Sequence, residues 1–180
     1  MKISSFAVYR VKPRWIFIKL VTDEGIEGWG EMISGTKTET VVAGATELAQ
    51  TLIGRDPFAI ETLWQELYNS FFRGGPINAT IVSGIETALW DIKGKALNVP
   101  IYELLGGRAR DRIKVYSWIG GDRPDDVVRE ALDRKNRGFD AVKMNATEEL
   151  HYIDSYEKVQ AVVDRVASIR KEMGAGFGIA

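Results

Sequence analysis

The chain of 180 residues carries 24 Lys+Arg against 25 Asp+Glu, a net charge of −1, with 45% hydrophobic and 27% charged side chains. These are globular values, and the balance offers no basic field for nucleic acid or an anionic membrane. Cysteine is absent, which removes disulfides, thiolate nucleophiles and Cys-based zinc sites together, and no apolar run approaches the ~20 residues a bilayer span needs. A cytoplasmic protein without nucleic-acid or membrane partners is the expectation.

Three short strands open the chain: Ile3 to Arg10, Trp15 to Val21 and Ile26 to Glu31. The last two flank Thr22-Asp23-Glu24-Gly25, whose glycine can supply the positive φ of a tight hairpin. An antiparallel meander follows from this spacing. Thr36-Lys37-Thr38-Glu39 fits a capping box, with a helix running to about Leu52 and closed by Gly54. Asp56-Pro57 reads as N-cap and first position of the next helix, whose Ile60, Leu63, Trp64, Leu67 and Tyr68 form an amphipathic stripe. Phe71 to Pro76 breaks the pattern as a loop. A long helix is expected from about Asn78 to Leu97, and a short one from Ile101 to Leu105.

From Ile113 the rhythm changes. Val115 to Ile119 reads as a strand, a helix runs from near Pro124 to Gly138, and Ala141 to Asn145 is a second strand. A helix over about Tyr156 to Lys171 is expected to bury Val159, Val162, Val163, Val166 and Ile169. Phe177 to Ala180 opens a third strand. Parallel strands need crossover helices and covered faces, so the reading is of a larger architecture cut short, with a domain boundary near residue 110.

The inventory of chemical groups is thin. His151 is the only histidine, set beside acids, and reads as a surface residue. Gly28-Trp29-Gly30 and Gly174 to Gly178 do not follow a strand and open a helix as a phosphate cradle must, so they read as turn glycines. Glu86 and Asp91 diverge around the long helix, and Asp91 with Lys95 is better read as an i,i+4 pair. Lys143 and Asn145 share one face of their strand, because residues i and i+2 point the same way. Lys143 belongs either to a functional site or to an ordinary interior packed against a carboxylate.

Ser83 to Lys95 (Ser-Gly-Ile-Glu-Thr-Ala-Leu-Trp-Asp-Ile-Lys-Gly-Lys), followed by Pro100 to Gly107, closely resembles the N-terminal signature of the mandelate racemase/muconate lactonizing enzyme group of the enolase superfamily. The hairpin Thr22 to Gly25 with Gly28-Trp29-Gly30-Glu31 supports the resemblance. Within that group, Pro13-Arg14-Trp15, Arg73 to Pro76, and Tyr116 to Trp118 leading to Gly120 to Pro124 look most like D-galactonate dehydratases. The resemblance implies an α+β capping domain (three-stranded antiparallel meander plus helices) over residues 1–110. Residues 111–180 would then be the first β/α units of an incomplete TIM-type barrel, since a full barrel needs ~250 residues.

The resemblance further implies an acid-sugar substrate whose carboxylate binds Mg²⁺. A base removes the α-proton, the metal stabilises the enediolate, and an acid expels the β-hydroxyl as water to give a 2-keto-3-deoxy acid. The metal carboxylates and catalytic histidines of the family lie on later strands, beyond Ala180, so no catalytic or metal residue is expected here and the chain alone is expected to be inactive. Related racemases carry Lys-x-Lys on the second barrel strand, the second lysine being the base; Asn145 stands at that position, which argues for the dehydratase branch. Two capping-domain loops, Val11 to Trp15 and Met32 to Lys37, correspond to those that close over the barrel mouth. The substrate-binding candidates are therefore Arg14, Trp15, Lys143 and Asn145; solvated Arg14 and packed Trp15 are the bland alternatives. A homo-oligomer is compatible with the resemblance. The alternatives for function are a non-catalytic capping-domain remnant, or another acid-sugar dehydratase or epimerase of the same group.

Overall fold

The alternating residues at the start of the chain form an antiparallel sheet in the order β1 (Ile3–Val11), β2 (Trp15–Thr22), β3 (Glu27–Met32). They do so in a computed structural model that describes residues 1–33, 35–70, 75–120, 124–147 and 151–180. Pairing sets Val8 beside Ile18 and Ile18 beside Gly30. One face of the sheet therefore carries the buried Ile16, Ile18, Leu20, Gly28, Gly30 and Met32. The other carries Tyr9, Val11, Trp15 and Trp29, all partly exposed, with Tyr9 stacked on Trp29 at 5.3 Å between ring centroids.

Four helices follow: α1 (Thr38–Gln50), α2 (Ile60–Asn69), α3 (Gly75–Leu97) and α4 (Ile101–Leu104). Ile81, Ile85, Ala88, Leu89 and Ile92 of α3 pack into one core with the sheet and with Val41, Leu48, Leu63 and Leu67 of α1 and α2. Each fully buried Ile or Leu contributes about 1.5–3 kcal/mol relative to exposure.

The contact between α3 and β3 is unusually close. A Cβ built on Gly30 would lie 1.8 Å from the Gly84 carbonyl oxygen, and one on Gly28 would lie 2.1 Å from that of Ala88. Gly28 and Gly30 are thus strand residues that admit a helix backbone, not the turn glycines expected from sequence. The free edge of β3 is covered by side chains of the same helix. Asp91 Oδ2 accepts from the Trp29 amide at 2.9 Å, Lys95 Nζ donates to the Glu27 carbonyl at 2.7 Å, and Thr80 Oγ1 accepts from the Ile33 amide at 3.0 Å.

Three helix starts differ from expectation, with α3 opening at Gly75, inside the segment expected to be a loop and ahead of Asn78. α1 begins at Thr38 with Lys37 as N-cap and no side-chain capping bond; Glu39 pairs instead with Arg10 of β1. α2 begins at Ile60, because Asp56 Oδ1 accepts from the Phe58 amide at 2.9 Å. That bond closes a local turn in competition with the helix.

This first unit spans Met1–Ala109, and the second spans Arg110–Ala180. The second contains a parallel sheet ordered β4 (Ser117–Trp118), β5 (Ala141–Lys143), β6 (Gly178–Ile179), linked by α5 (Pro124–Asn136) and α6 (Tyr156–Met173). β4 and β5 are shorter than the expected strands 115–119 and 141–145. Both helices pack on one face, where Val127, Ala131, Ile169 and Met173 meet Ile119, Val142, Met144 and Phe177. Consecutive right-handed crossovers put both helices on the same side of such a sheet.

The expected burial of Val159 and Val163 is not found, as both are more than half exposed. α6 meets the sheet through its C-terminal half, where Arg165, Ile169 and Met173 are buried at i, i+4 and i+8. Gly174 is its C-cap, with φ 79°, and Arg170 Nη1 donates to the carbonyls of Gly174 at 2.8 Å and Phe177 at 2.6 Å. This glycine run is a turn between helix and strand, as its spacing suggested.

Gly30→Ala should destabilise the first unit by about 1–3 kcal/mol, the range for overpacking a closed contact. Gly25→Ala is the control: φ there is +80° with nothing within 4 Å, so only the left-handed backbone cost of roughly 1–2 kcal/mol applies. Urea unfolding of both variants checks this; an unaltered midpoint for Gly30→Ala would contradict the close approach.

Candidate functional site

Strand alternation decides which side chains of the second unit are available for chemistry. Val142 and Met144 point to the helices and are buried, so Lys143 and Asn145 fall on the helix-free face, where both are exposed. The ladder continues past β5 itself: the Met144 amide donates to the Ala180 carbonyl at 3.0 Å, and Ile119 to the Lys143 carbonyl at 2.9 Å. Asn145 is thus the first residue beyond the last sheet bond among the described residues. Trp118 is registered beside Lys143 on the neighbouring strand and is 59% exposed. The helix-free face therefore presents an indole, an ammonium and a carboxamide at the C-terminal ends of adjacent strands.

Among the described residues no ion pair joins Lys143 to a carboxylate. The ion pairs of this unit lie elsewhere, with Lys114 and Asp140 at 2.8 Å. An exposed primary ammonium can pair with an anionic group. The carboxamide at Asn145 donates and accepts hydrogen bonds but cannot take up a proton at neutral pH.

In the first unit Arg14 ends the β1–β2 turn, where it is exposed, and Trp15 opens β2 opposite Val11, 38% exposed. The structure brings Arg14 next to Trp15, and Lys143 next to Asn145; the two pairs belong to different units. Of the second expected loop, Ser34 lies outside the described residues, as do Arg73, Gly74 and residues 121–123 of the other quoted motifs. His151 is exposed, and its backbone amide donates to Asp154 Oδ2 at 2.9 Å. Among the described residues no group of three or more His, Asp or Glu is arranged to hold a metal ion. No described helix is long and apolar enough to cross a membrane.

Sequence reasoning passed over two residues. Trp118 could have been found from alternation, since it stands one row across from Lys143. Arg165, four and eight residues before Ile169 and Met173, occupies a core position of α6 and is 3% exposed. The groove of about 350 Å³ beside Asp91, Lys95 and Pro100 is a poorer candidate, because its two charged side chains are already committed to the edge of β3 and to each other at 2.7 Å.

Residues 3–106 match the model of the mandelate racemase / muconate lactonizing enzyme N-terminal domain. The chain belongs to this family. It is 52% identical over 182 residues to a D-galactonate dehydratase of Variovorax paradoxus, and 50% identical to one of Cronobacter sakazakii. Each match covers 99% of this chain and 48% of the relative, so the chain spans about half the length of the curated relatives it matches. Among solved structures, an enolase-superfamily member from Salmonella Typhimurium aligns with a TM-score of 0.89 at 31% identity, over 99% of this chain and 53% of that one. The 3,6-anhydro-D-galactonate cycloisomerase of Zobellia galactanivorans aligns at 0.82 and 31%, over 99% and 50%. The meander and helices of the first unit are the family's capping domain. Asp91 and Lys95 of its signature stretch serve the β3 edge.

Asp91→Ala should lower stability by about 1–2 kcal/mol, as the loss of a partly exposed charge-assisted bond. An unaltered melting temperature would contradict the role of Asp91 at the β3 edge. The Glu27 carboxyl lies below its ordinary value because it accepts a hydrogen bond from Lys19. A depressed carboxylate stabilises the fold fully above its ordinary value of 4.5 and loses that contribution as pH falls through the lower folded value. Stability should therefore drop on acidification below about pH 4.5, and Lys19→Met should flatten that drop in a pH series of thermal melts.

Proposed function

We propose that this chain is the N-terminal half of an acid-sugar dehydratase that converts D-galactonate to a 2-keto-3-deoxy acid. The observation that carries this reading is the 52% identity to a D-galactonate dehydratase across 99% of the chain. The helix-free face supports it with an ammonium that has no carboxylate partner among the described residues, a neutral carboxamide and an indole.

In this reading the second unit is the start of a (β/α) barrel, whose substrate sits at the C-terminal ends of the strands. Lys143 pairs with an anionic or developing oxyanionic group of the acid sugar, where a fixed cation in a water-poor site is worth more than in bulk. Asn145 orients a hydroxyl and leaves proton removal to a group outside these residues. Arg14 and Trp15, in the capping domain, take part in substrate selection. Mg²⁺ belongs to this reading of the full gene product. The described residues do not fit it as ligands, so no step assigned to them runs through it. Cytoplasmic location and homo-oligomer assembly complete the proposal.

A second reading keeps the family and changes the reaction. The likeness to a cycloisomerase at TM-score 0.82 favours it, because this half of the fold serves relatives of different chemistry.

The test is a panel of acid sugars offered to the full gene product with Mg²⁺, following 2-keto acid release. D-galactonate should be turned over fastest; an acid sugar consumed and isomerised with no 2-keto acid released from any member of the panel would favour the second reading. Lys143→Met should lower kcat/KM by about 10²-fold, the scale of removing one electrostatic contact to a developing charge. Unaltered kinetics would remove Lys143 from the site.

A further inference from the structure

Arg165 lies on α6 and is 3% exposed, an unusual place for a guanidinium because burying a charge is costly unless it is hydrogen-bonded. Its Nη1 donates to the Ala146 carbonyl at 2.9 Å. Ala146 lies beyond β5, and among the described residues the last ladder bond of this strand is the one from the Met144 amide to Ala180. Asn145 therefore sits between two fixed points, the sheet bond at Met144 and the guanidinium bond at Ala146. Its own side chain is exposed on the helix-free face beside Lys143.

We infer that Arg165 is a positioning residue that holds the strand end so that the Asn145 carboxamide is presented at a fixed place on the candidate substrate face. The inference rests on the reading of Asn145 as a substrate-binding residue. The physical case is one of rigidity. A residue just past a strand is normally free to turn with the loop, and a donor that reaches across from a packed helix removes that freedom. A guanidinium suits the task, since its planar, always-charged fork keeps its direction when desolvated. Lysine is one bond shorter in functional reach and lacks that fork.

The experiment uses the full gene product and the variants Arg165→Met and Arg165→Lys. Hydrogen–deuterium exchange is read over residues 144–147, and kinetics are measured with D-galactonate. In Arg165→Met, exchange over 144–147 should rise at least tenfold while that of Ile169 to Met173 stays close to wild type. The kcat/KM should fall by about 10- to 10²-fold, the scale of a misplaced contact, and added guanidinium ion should restore part of it. Unaltered exchange would overturn the inference. Faster exchange with unaltered kinetics would also overturn it, leaving Arg165 as a packing residue. Should Arg165→Met fail to fold, Arg165→Lys is read by the same two measurements. A wild-type protein inert toward every acid sugar would sink the functional reading alone, and the exchange data would still decide whether Arg165 fixes the strand end.

Discussion

A helix backbone can lie against a strand at this distance only where the facing residues have no Cβ. Gly28 and Gly30 on β3 meet the backbone of α3 at Gly84 and Ala88, and any larger residue would occupy the space of a carbonyl oxygen. The rest of the first unit follows from that contact. It sets the height of α3 above the sheet, and so the depth available to Ile81, Ile85, Leu89 and Ile92. It also brings Thr80, Asp91 and Lys95 within reach of the β3 edge. A sheet of three strands has little surface to bury, and one closely seated helix does more for it than several distant ones.

The same contact explains why this region was readable as a family mark. Small residues on both elements, with an acid and a lysine one turn apart, are demanded by geometry whatever reaction the complete protein performs. A structure named for cycloisomerisation and a relative named for dehydration each align over 99% of this chain. The motif therefore identifies lineage, and the chemistry must be argued from other residues.

Much of the fold was legible from periodicity. The three meander strands, the stripe of α2, the long α3 and the alternation of helix and strand after residue 113 all reflect burial, which period-2 and 3.6 patterns report directly. Helix starts were less legible: Glu39 had a partner, Arg10, that only the tertiary structure supplies, and Asp56 closed a local turn onto the Phe58 amide in place of capping the helix. The valines of α6 misled for a related reason: an apolar stripe says that a helix has a sticky side, not which turns of it meet the sheet. For the site, Lys143 and Asn145 could be paired by strand alternation, and Trp118 by the same rule applied one strand over. Arg165 was hidden because charge in a helix is ordinarily read as solvated. Only its spacing from Ile169 and Met173 gave it away.

The seal on β3 also has a consequence in time. Trp29 and Asp91 are 62 residues apart in sequence, and Glu27 and Lys95 are 68 apart. Contacts at such separations form late, since the entropy of closing the intervening chain must be met before they reward it. The meander hairpins, by contrast, join near neighbours and can form early. There is thus an interval in which three strands exist and the outer edge of β3 is bare, open to pairing with another chain. Protection of that edge therefore waits on contacts that are long-range in the chain.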